Sequence, residues 1–331
     1  MKDDLLKIKN LRASFRISGE YYAAVDGVNL EVKKNEVFAI VGESGSGKSA
    51  MAMSIMQLHN MNYTRLEGEV IYKGEDLLKL TPSQMNKVRG KEISMIFQDP
   101  LSALNPLMTI GVQIEESMYY HLNMNAAERK ERTLELLNDV KMVNPKLTYE
   151  QYPHELSGGM RQRVIIALAM ASRPSLIIAD EPTTALDVTI QAQILDLMRV
   201  MQSETGVSII IITHDLGVVA EMADWVAVMY AGQIVEYSSV YEIFKNPQHP
   251  YTRSLLKAIP SLDSHNDKLH AIEGSVPDLR NLPRTGCRFS PRIPWISDDE
   301  HEEQPEIRNI GSEEQEHWVL CSCYKTFRFE D

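Results

Sequence analysis

The chain is 331 residues long, 44% hydrophobic and 24% charged, which excludes wholesale disorder, a collagen-like repeat and a disulfide-dense miniature fold. Its formal net charge of −12 makes it a poor candidate for coating nucleic acid or anionic lipid non-specifically. All 3 cysteines lie in the C-terminal part and make no disulfide framework, which points to a reducing compartment. A spanning helix needs ~20 apolar residues. The longest apolar runs, at 164–171, 176–179 and 209–212, are far shorter. No apolar signal core follows Met1-Lys2-Asp3-Asp4, so the chain is expected to be soluble and cytoplasmic, free to dock on a membrane protein.

Residues 6–41 read mostly as strands and turns, ending in the continuous apolar run Val37-Phe38-Ala39-Ile40-Val41, which suits a strand buried on both faces. A Gly-rich turn follows, then a helix over 48–57 and another strand over 68–73. Thr81-Pro82-Ser83-Gln84 opens a helix, with Thr as cap, Pro at the first helical position and Gln at the third. A short strand over 93–97 precedes a largely helical stretch, 109–171, in which Asn125-Ala126-Ala127-Glu128 is a second capping pattern. Apolar strands at 176–179 and 207–212 flank a helix over 190–202, and this alternation predicts a parallel sheet with right-handed crossovers. A hairpin is expected around Ala231-Gly232, then short helices at 240–244 and 252–258. Beyond Pro260 the texture changes: 260–294 is rich in Pro, Asn, Arg and Ser, and 297–316 is strongly acidic. Residues 1–258 are therefore expected to form the globular body and 259–331 a loop-rich extension.

Three strings carry chemistry. In Gly42-Glu43-Ser44-Gly45-Ser46-Gly47-Lys48-Ser49 a buried strand enters a glycine loop and leaves as a helix, the setting a phosphate loop needs. Its glycines let backbone N–H groups turn toward phosphate oxygens, and the helix N-terminus adds partial positive charge. Lys48 is expected to reach the β- and γ-phosphates and the Ser49 hydroxyl to ligate Mg²⁺. In Leu176-Ile177-Ile178-Ala179-Asp180-Glu181 a buried strand ends in two carboxylates, at the edge where open α/β sheets place their sites. Asp180 can hold Mg²⁺ and Glu181 can polarise an attacking water. Leu156-Ser157-Gly158-Gly159-Met160-Arg161-Gln162-Arg163 opens a helix and forms a second anion-seeking tip.

This last string resembles the signature motif of ATP-binding-cassette proteins, and the order of the remaining motifs matches that superfamily across residues 6–258. The resemblance implies a P-loop, RecA-like α/β core with an antiparallel β subdomain and an inserted helical subdomain at about 101–171. It implies ATP and Mg²⁺ as ligands. Gln98 matches the Q-loop glutamine, a third metal-side group beside Ser49 and Asp180. His214 matches the switch histidine, Asp187 in Ala185-Leu186-Asp187 the D-loop, and Phe15 the aromatic that stacks on adenine, with Tyr21 and Tyr22 as rivals. Ala50 departs from the pattern: many cassettes carry a second hydroxyl there for the α-phosphate, and its loss costs ~1 kcal/mol. In the family, Ser157, Gly158, Gly159 and Gln162 would serve the ATP held by a partner subunit, while Glu181 acts as base, His214 contacts the γ-phosphate and Gln98 senses metal and water.

The interval from Lys48 to Asp180 has no room for a long coiled coil, and the chain carries one cassette, so it reads as a stand-alone transporter ATPase. Gln98-Asp99-Pro100-Leu101-Ser102-Ala103-Leu104-Asn105-Pro106, the string from Asp180 to Thr189, and Pro247-Gln248-His249-Pro250-Tyr251-Thr252 are similar to the ATP-binding subunits of bacterial oligopeptide/dipeptide importers, a group with nickel-type members. That implies a related ATPase partner in a heterodimer, two permeases, an extracytoplasmic binding protein, no nucleic acid, and a peripheral position on the cytoplasmic face of the cell membrane. An importer of nickel or another small solute is the alternative; a nucleic-acid-linked cassette ATPase is the remote one. Many members hold an iron–sulfur cluster through four Cys in the extension. Here Cys287 and Cys321 fit the first and last positions, Ile293 and Glu300 stand at the middle two, and Cys323 is extra. No cluster is expected.

Overall fold

A computed structural model of the chain describes residues 4–184, 186–258, 272–283, 285–312 and 315–329. Ala185 of the D-loop string and the start of the extension, 259–271, lie outside the described residues. The strands are β1 (Asp4–Ile17), β2 (Glu20–Lys33), β3 (Val37–Val41), β4 (Thr64–Tyr72), β5 (Glu75–Asp76), β6 (Ile93–Ile96), β7 (Leu176–Asp180), β8 (Ser208–Thr213), β9 (Trp225–Tyr230), β10 (Gln233–Ser239), β11 (Ile307–Asn309) and β12 (His317–Leu320).

The chain divides into two compact units. The first takes residues 1–5, 32–37 and 72–212. Its β6, β7 and β8 run parallel, in the registers Ile96↔Ala179 and Asp180↔Ile212. β7 and β8 are buried along their whole length, as their continuous apolar runs 176–179 and 209–212 suit. The helices Ile110–His121, Ala126–Asp139, Pro145–Glu150 and Gly158–Met170 belong to the same unit and contact one another. Local signals start two helices as the sequence predicts. Thr81 and Asn125 each accept from the backbone of the third helical residue, whose Gln84 or Glu128 side chain returns the bond.

The second unit takes residues 6–31, 38–71 and 213–331. β1 and β2 are neighbours joined by Ser18-Gly19, both with positive φ (51° and 96°). A two-residue loop of this hand joins antiparallel strands. β4 lies on the other side of β1. β3 pairs parallel with β9, and β9 pairs antiparallel with β10 across Ala231-Gly232, again with two positive φ values (47° and 88°). The expected hairpin is therefore present.

The extension is loop-rich, and it also has order that composition did not reveal. β12 pairs antiparallel with β10, and β11 with β12. Phe289, Ile293, Ile296, Val319 and the three cysteines are buried. The acidic stretch holds exposed residues around β11, while the apolar residues on either side of it supply a small core.

Candidate nucleotide site

In the second unit, β3 delivers the chain into the loop 42–47, and the helix Lys48–Ile55 leaves it. Gly47 is left-handed, with φ 104°, and a Cβ there would stand 2.4 Å from the Ala24 carbonyl oxygen. Only glycine satisfies both demands. A Cβ on Gly42 would meet the Met229 oxygen at 2.1 Å. Gly45, with φ 80°, turns in open space. The Ser46 N–H donates to the Glu43 oxygen at 3.2 Å and its carbonyl accepts from Gly232 N–H at 2.8 Å. Its hydroxyl is buried with no hydrogen-bond partner among the described residues, an unspent donor inside the loop. Ser44 is exposed. Lys48 is 5% exposed, and its ammonium donates to the carbonyls of Gly42 (2.7 Å) and Glu43 (2.9 Å), holding the loop's entry closed around the cation. Ser49 and Ala50 follow in the first turn, half-buried, and the Ala50 carbonyl faces His59 Nε2 at 2.9 Å.

The loop is braced by residues far along the chain that local sequence reading had no means to find. Tyr251, fully buried, accepts the Glu43 N–H on its hydroxyl at 2.8 Å. Arg292 forks onto the Glu43 carboxylate, Nη1 to Oε2 at 2.5 Å and Nη2 to Oε1 at 3.2 Å. It also donates to the carbonyls of Ile272, Glu273 and Gly274. Glu43 beside this guanidinium holds the Arg292 pKa above its ordinary value, although burial alone would lower it. Arg288 bridges the Ala231 carbonyl (2.6 Å) and the Asp26 carboxylate. The Tyr230, Tyr251 and Phe289 rings stack edge and face at 4.6–5.4 Å. The extension thus reaches the phosphate loop through one arginine and one aromatic cluster.

The aromatic candidates in this unit are each engaged. Phe15 packs edge-on against His59 at 5.0 Å. The Arg65 guanidinium covers the Tyr21 ring at 3.8 Å, and Tyr22 donates to Glu20. His214, just past β8, is exposed, and Asp215 after it caps the helix Leu216–Met222.

In the first unit the parallel register brings the strand tips together. Asp180 closes β7 and is 4% exposed. Glu181 follows with a left-handed φ of 49°, a strained setting for a side chain with a Cβ and one common at functional sites. Its N–H donates to the Ile212 carbonyl at 2.8 Å, which pins the turn. Gln98, just past β6, donates to Glu181 Oε2 at 2.9 Å, and Thr184 donates its hydroxyl to the same oxygen at 2.8 Å. Gln98 and Glu181 were separate sequence candidates and here they touch. Thr184 was missed, although it sits three residues beyond the acid, the spacing of a side-chain cap. The Asp180 carboxylate and the Gln98 carbonyl oxygen are hard donors that suit Mg²⁺.

Ser157 caps the helix Gly158–Met170, accepting from Met160 N–H at 3.3 Å, and Ser157 and Gly158 are exposed. Gly159 is required by its neighbour, since a Cβ would come 2.8 Å from Ile190 Cγ2. Asp187 caps the helix Val188–Thr205 through Ile190 N–H at 3.0 Å. Gln162 lies deeper than Ser157 and Gly158. It is 2% exposed, one turn inside the helix, with its amide nitrogen unpartnered among the described residues. Its side chain is buried in the isolated chain.

In the extension the three cysteines are all free and buried, and their sulfurs lie within 4.8 Å of one another. Ile293 is a core hydrocarbon, 1% exposed. Among the described residues the four-thiolate shell of an iron–sulfur cluster is not assembled.

The family model for ABC transporters matches residues 25–184, and the model for the oligopeptide/dipeptide transporter C-terminal region matches 235–297. The chain is 48% identical over 330 residues to an oligopeptide transport ATP-binding protein, OppD, of Lactococcus lactis subsp. cremoris, covering 99% of this chain and 97% of that one. It is 50% identical over 304 residues to the oligopeptide transport ATP-binding protein AppD of Bacillus subtilis, 92% of each chain. A dimeric ATP-binding cassette, MJ0796, solved with ADP and Pi bound, superposes with a TM-score of 0.64 at 30% identity, covering 71% of this chain and 99% of that one. No helix among the described residues is long and apolar enough to cross a membrane. The chain belongs to the ABC transporter ATP-binding family, in the branch that carries the oligopeptide/dipeptide transporter C-terminal region.

Proposed function

We propose that this protein binds and hydrolyses ATP to energise a membrane importer of oligopeptides or dipeptides. The observation that carries the chemistry is the Glu181 carboxylate, held at a strand tip by Gln98 and Thr184 beside buried Asp180. In this reading Glu181 takes the proton of the water that attacks the γ-phosphorus, and ADP departs in line. Gly42, Glu43, Ser44, Gly45, Ser46 and Gly47 offer backbone N–H groups to the phosphates, Lys48 sheds its two carbonyl partners to reach them, and Phe15 receives the adenine. Ala50 gives the α-phosphate nothing beyond its backbone. His214 contacts the γ-phosphate. Ser49, Asp180 and Gln98 are the oxygen donors for Mg²⁺, which when bound offsets the charge on the β- and γ-phosphates.

Ser157 and Gly158, exposed at a helix start, and half-buried Gly159 face the triphosphate of a related ATPase subunit, and Asp187 borders that contact. ATP then favours the closed pair, because its γ-phosphate interacts with the second tip only there, and hydrolysis removes that preference. Two permeases and an extracytoplasmic binding protein complete the importer, with this chain at the cytoplasmic face of the membrane. Residues 1–258 are the motor and 259–331 its extension. Two oligopeptide relatives at 48% and 50% identity support the peptide cargo over nickel. The acidic balance, −12, opposes a nucleic-acid role. The test is reconstitution with the permeases and binding protein, reading ATP hydrolysis against added solute. Oligopeptides should stimulate it; stimulation by Ni²⁺ alone would transfer the cargo to the nickel-type alternative.

A further inference from the structure

We propose that Cys287, Cys321 and Cys323 form a three-thiolate site for one thiophilic divalent cation of the zinc class, not for an iron–sulfur cubane. The three side chains come from two stretches of the extension well apart in sequence, are 7%, 1% and 1% exposed, and place their sulfurs within 4.8 Å of one another. Tetrahedral zinc with Zn–S bonds of about 2.3 Å sets its thiolates about 3.8 Å apart, a small contraction from this arrangement. A cubane separates its thiolates further, because an iron stands behind each one and the inorganic sulfides fill the centre. The four-cysteine pattern of such a cluster is also incomplete here, its two middle positions being the hydrocarbon Ile293 and the carboxylate Glu300.

A second observation is independent of the spacing. Cys321 has φ 70°, a left-handed conformation rare for a residue with a Cβ, at the end of β12. Such strain persists where the surroundings dictate it, and here it turns the Cys321 thiol toward the other two. Cys321 N–H is fixed on the Glu306 carbonyl at 3.1 Å, so the turn is built into the extension. The cysteines bind as thiolates, so their thiol protons leave to water as the shell closes. The fourth position falls to water.

The experiment uses the full chain, purified anaerobically with reductant, and measures zinc, iron and acid-labile sulfide. About one zinc per chain, without sulfide, is expected. Cobalt substitution should give an intense near-ultraviolet sulfur-to-metal band, and Cys323→Ser should lower zinc affinity at least tenfold in competition with a chromophoric chelator. Iron and sulfide in cubane proportion, with broad visible absorption, would overturn the mononuclear assignment. So would wild-type protein that holds zinc no better than Cys323→Ser. If the serine variant does not fold, stripped wild-type protein decides the matter: zinc should raise its unfolding temperature, and no rise refutes the site.

Discussion

Arg292→Met probes the longest-range contact of the nucleotide site. The guanidinium side chain is 5% exposed and its Glu43 partner 29%. Removing one member of a buried ion pair costs about 3–5 kcal/mol, because the survivor is left charged and unpaired. Glu43 keeps partial access to water and rehydrates in part, which brings the expected cost to ~2 kcal/mol. The stranded carboxylate lies on the loop that receives a triphosphate, so the penalty falls on nucleotide affinity. At ~1.4 kcal/mol per tenfold, ATP should bind roughly 30-fold more weakly, with kcat reduced much less. Titration with a fluorescent ATP analogue measures the affinity, and thermal unfolding measures the fold. Because the fault is an unpaired charge, Glu43→Gln in the Arg292→Met background should restore affinity to within about threefold of Glu43→Gln alone, the coupling expected of direct partners. Wild-type affinity in Arg292→Met, or no recovery in the double variant, would refute the idea that the extension tunes the loop through this pair.

Glu181→Gln keeps the shape of the side chain and its contact with Thr184 but removes the base; ATP binding should persist while turnover falls by about 10²–10⁴, read by phosphate release. Gly47→Ala places a Cβ 2.4 Å from the Ala24 oxygen in a left-handed backbone, so it should cost at least 2 kcal/mol in stability and abolish ATP binding; near-wild-type binding would remove the loop's steric argument. His249 is fully buried, and desolvation lowers its pKa to about 4, partly opposed by Glu236 and Cys321. The unfolded chain protonates this ring below about pH 6.5 while the folded chain resists until about 4, so folding stability should be full above pH 6.5 and fall through that window by about 3 kcal/mol. His249→Asn should flatten that part of a pH series of urea-unfolding curves.

The sequence by itself determined what short-range rules control. Capping boxes at Thr81 and Asn125, the strand–loop–helix around Lys48, the apolar runs of β7 and β8 and the turn at Ala231-Gly232 are set by neighbours a few residues apart, through steric limits on φ and unpaired N–H groups at helix starts. The cassette motifs were readable for the same reason: each is a contiguous string. Only the tertiary structure decided that Gln98 and Thr184 share one oxygen of Glu181, that Gln162 is buried in the isolated chain, and that Arg292 and Tyr251 grip the phosphate loop across 249 and 208 positions. It also decided that an extension read as turns adds β11 and β12 and gathers three cysteines. The order in the extension comes from pairing to β10 and from burial against distant rings, and neither leaves a periodic trace in a chain rich in Pro and acids.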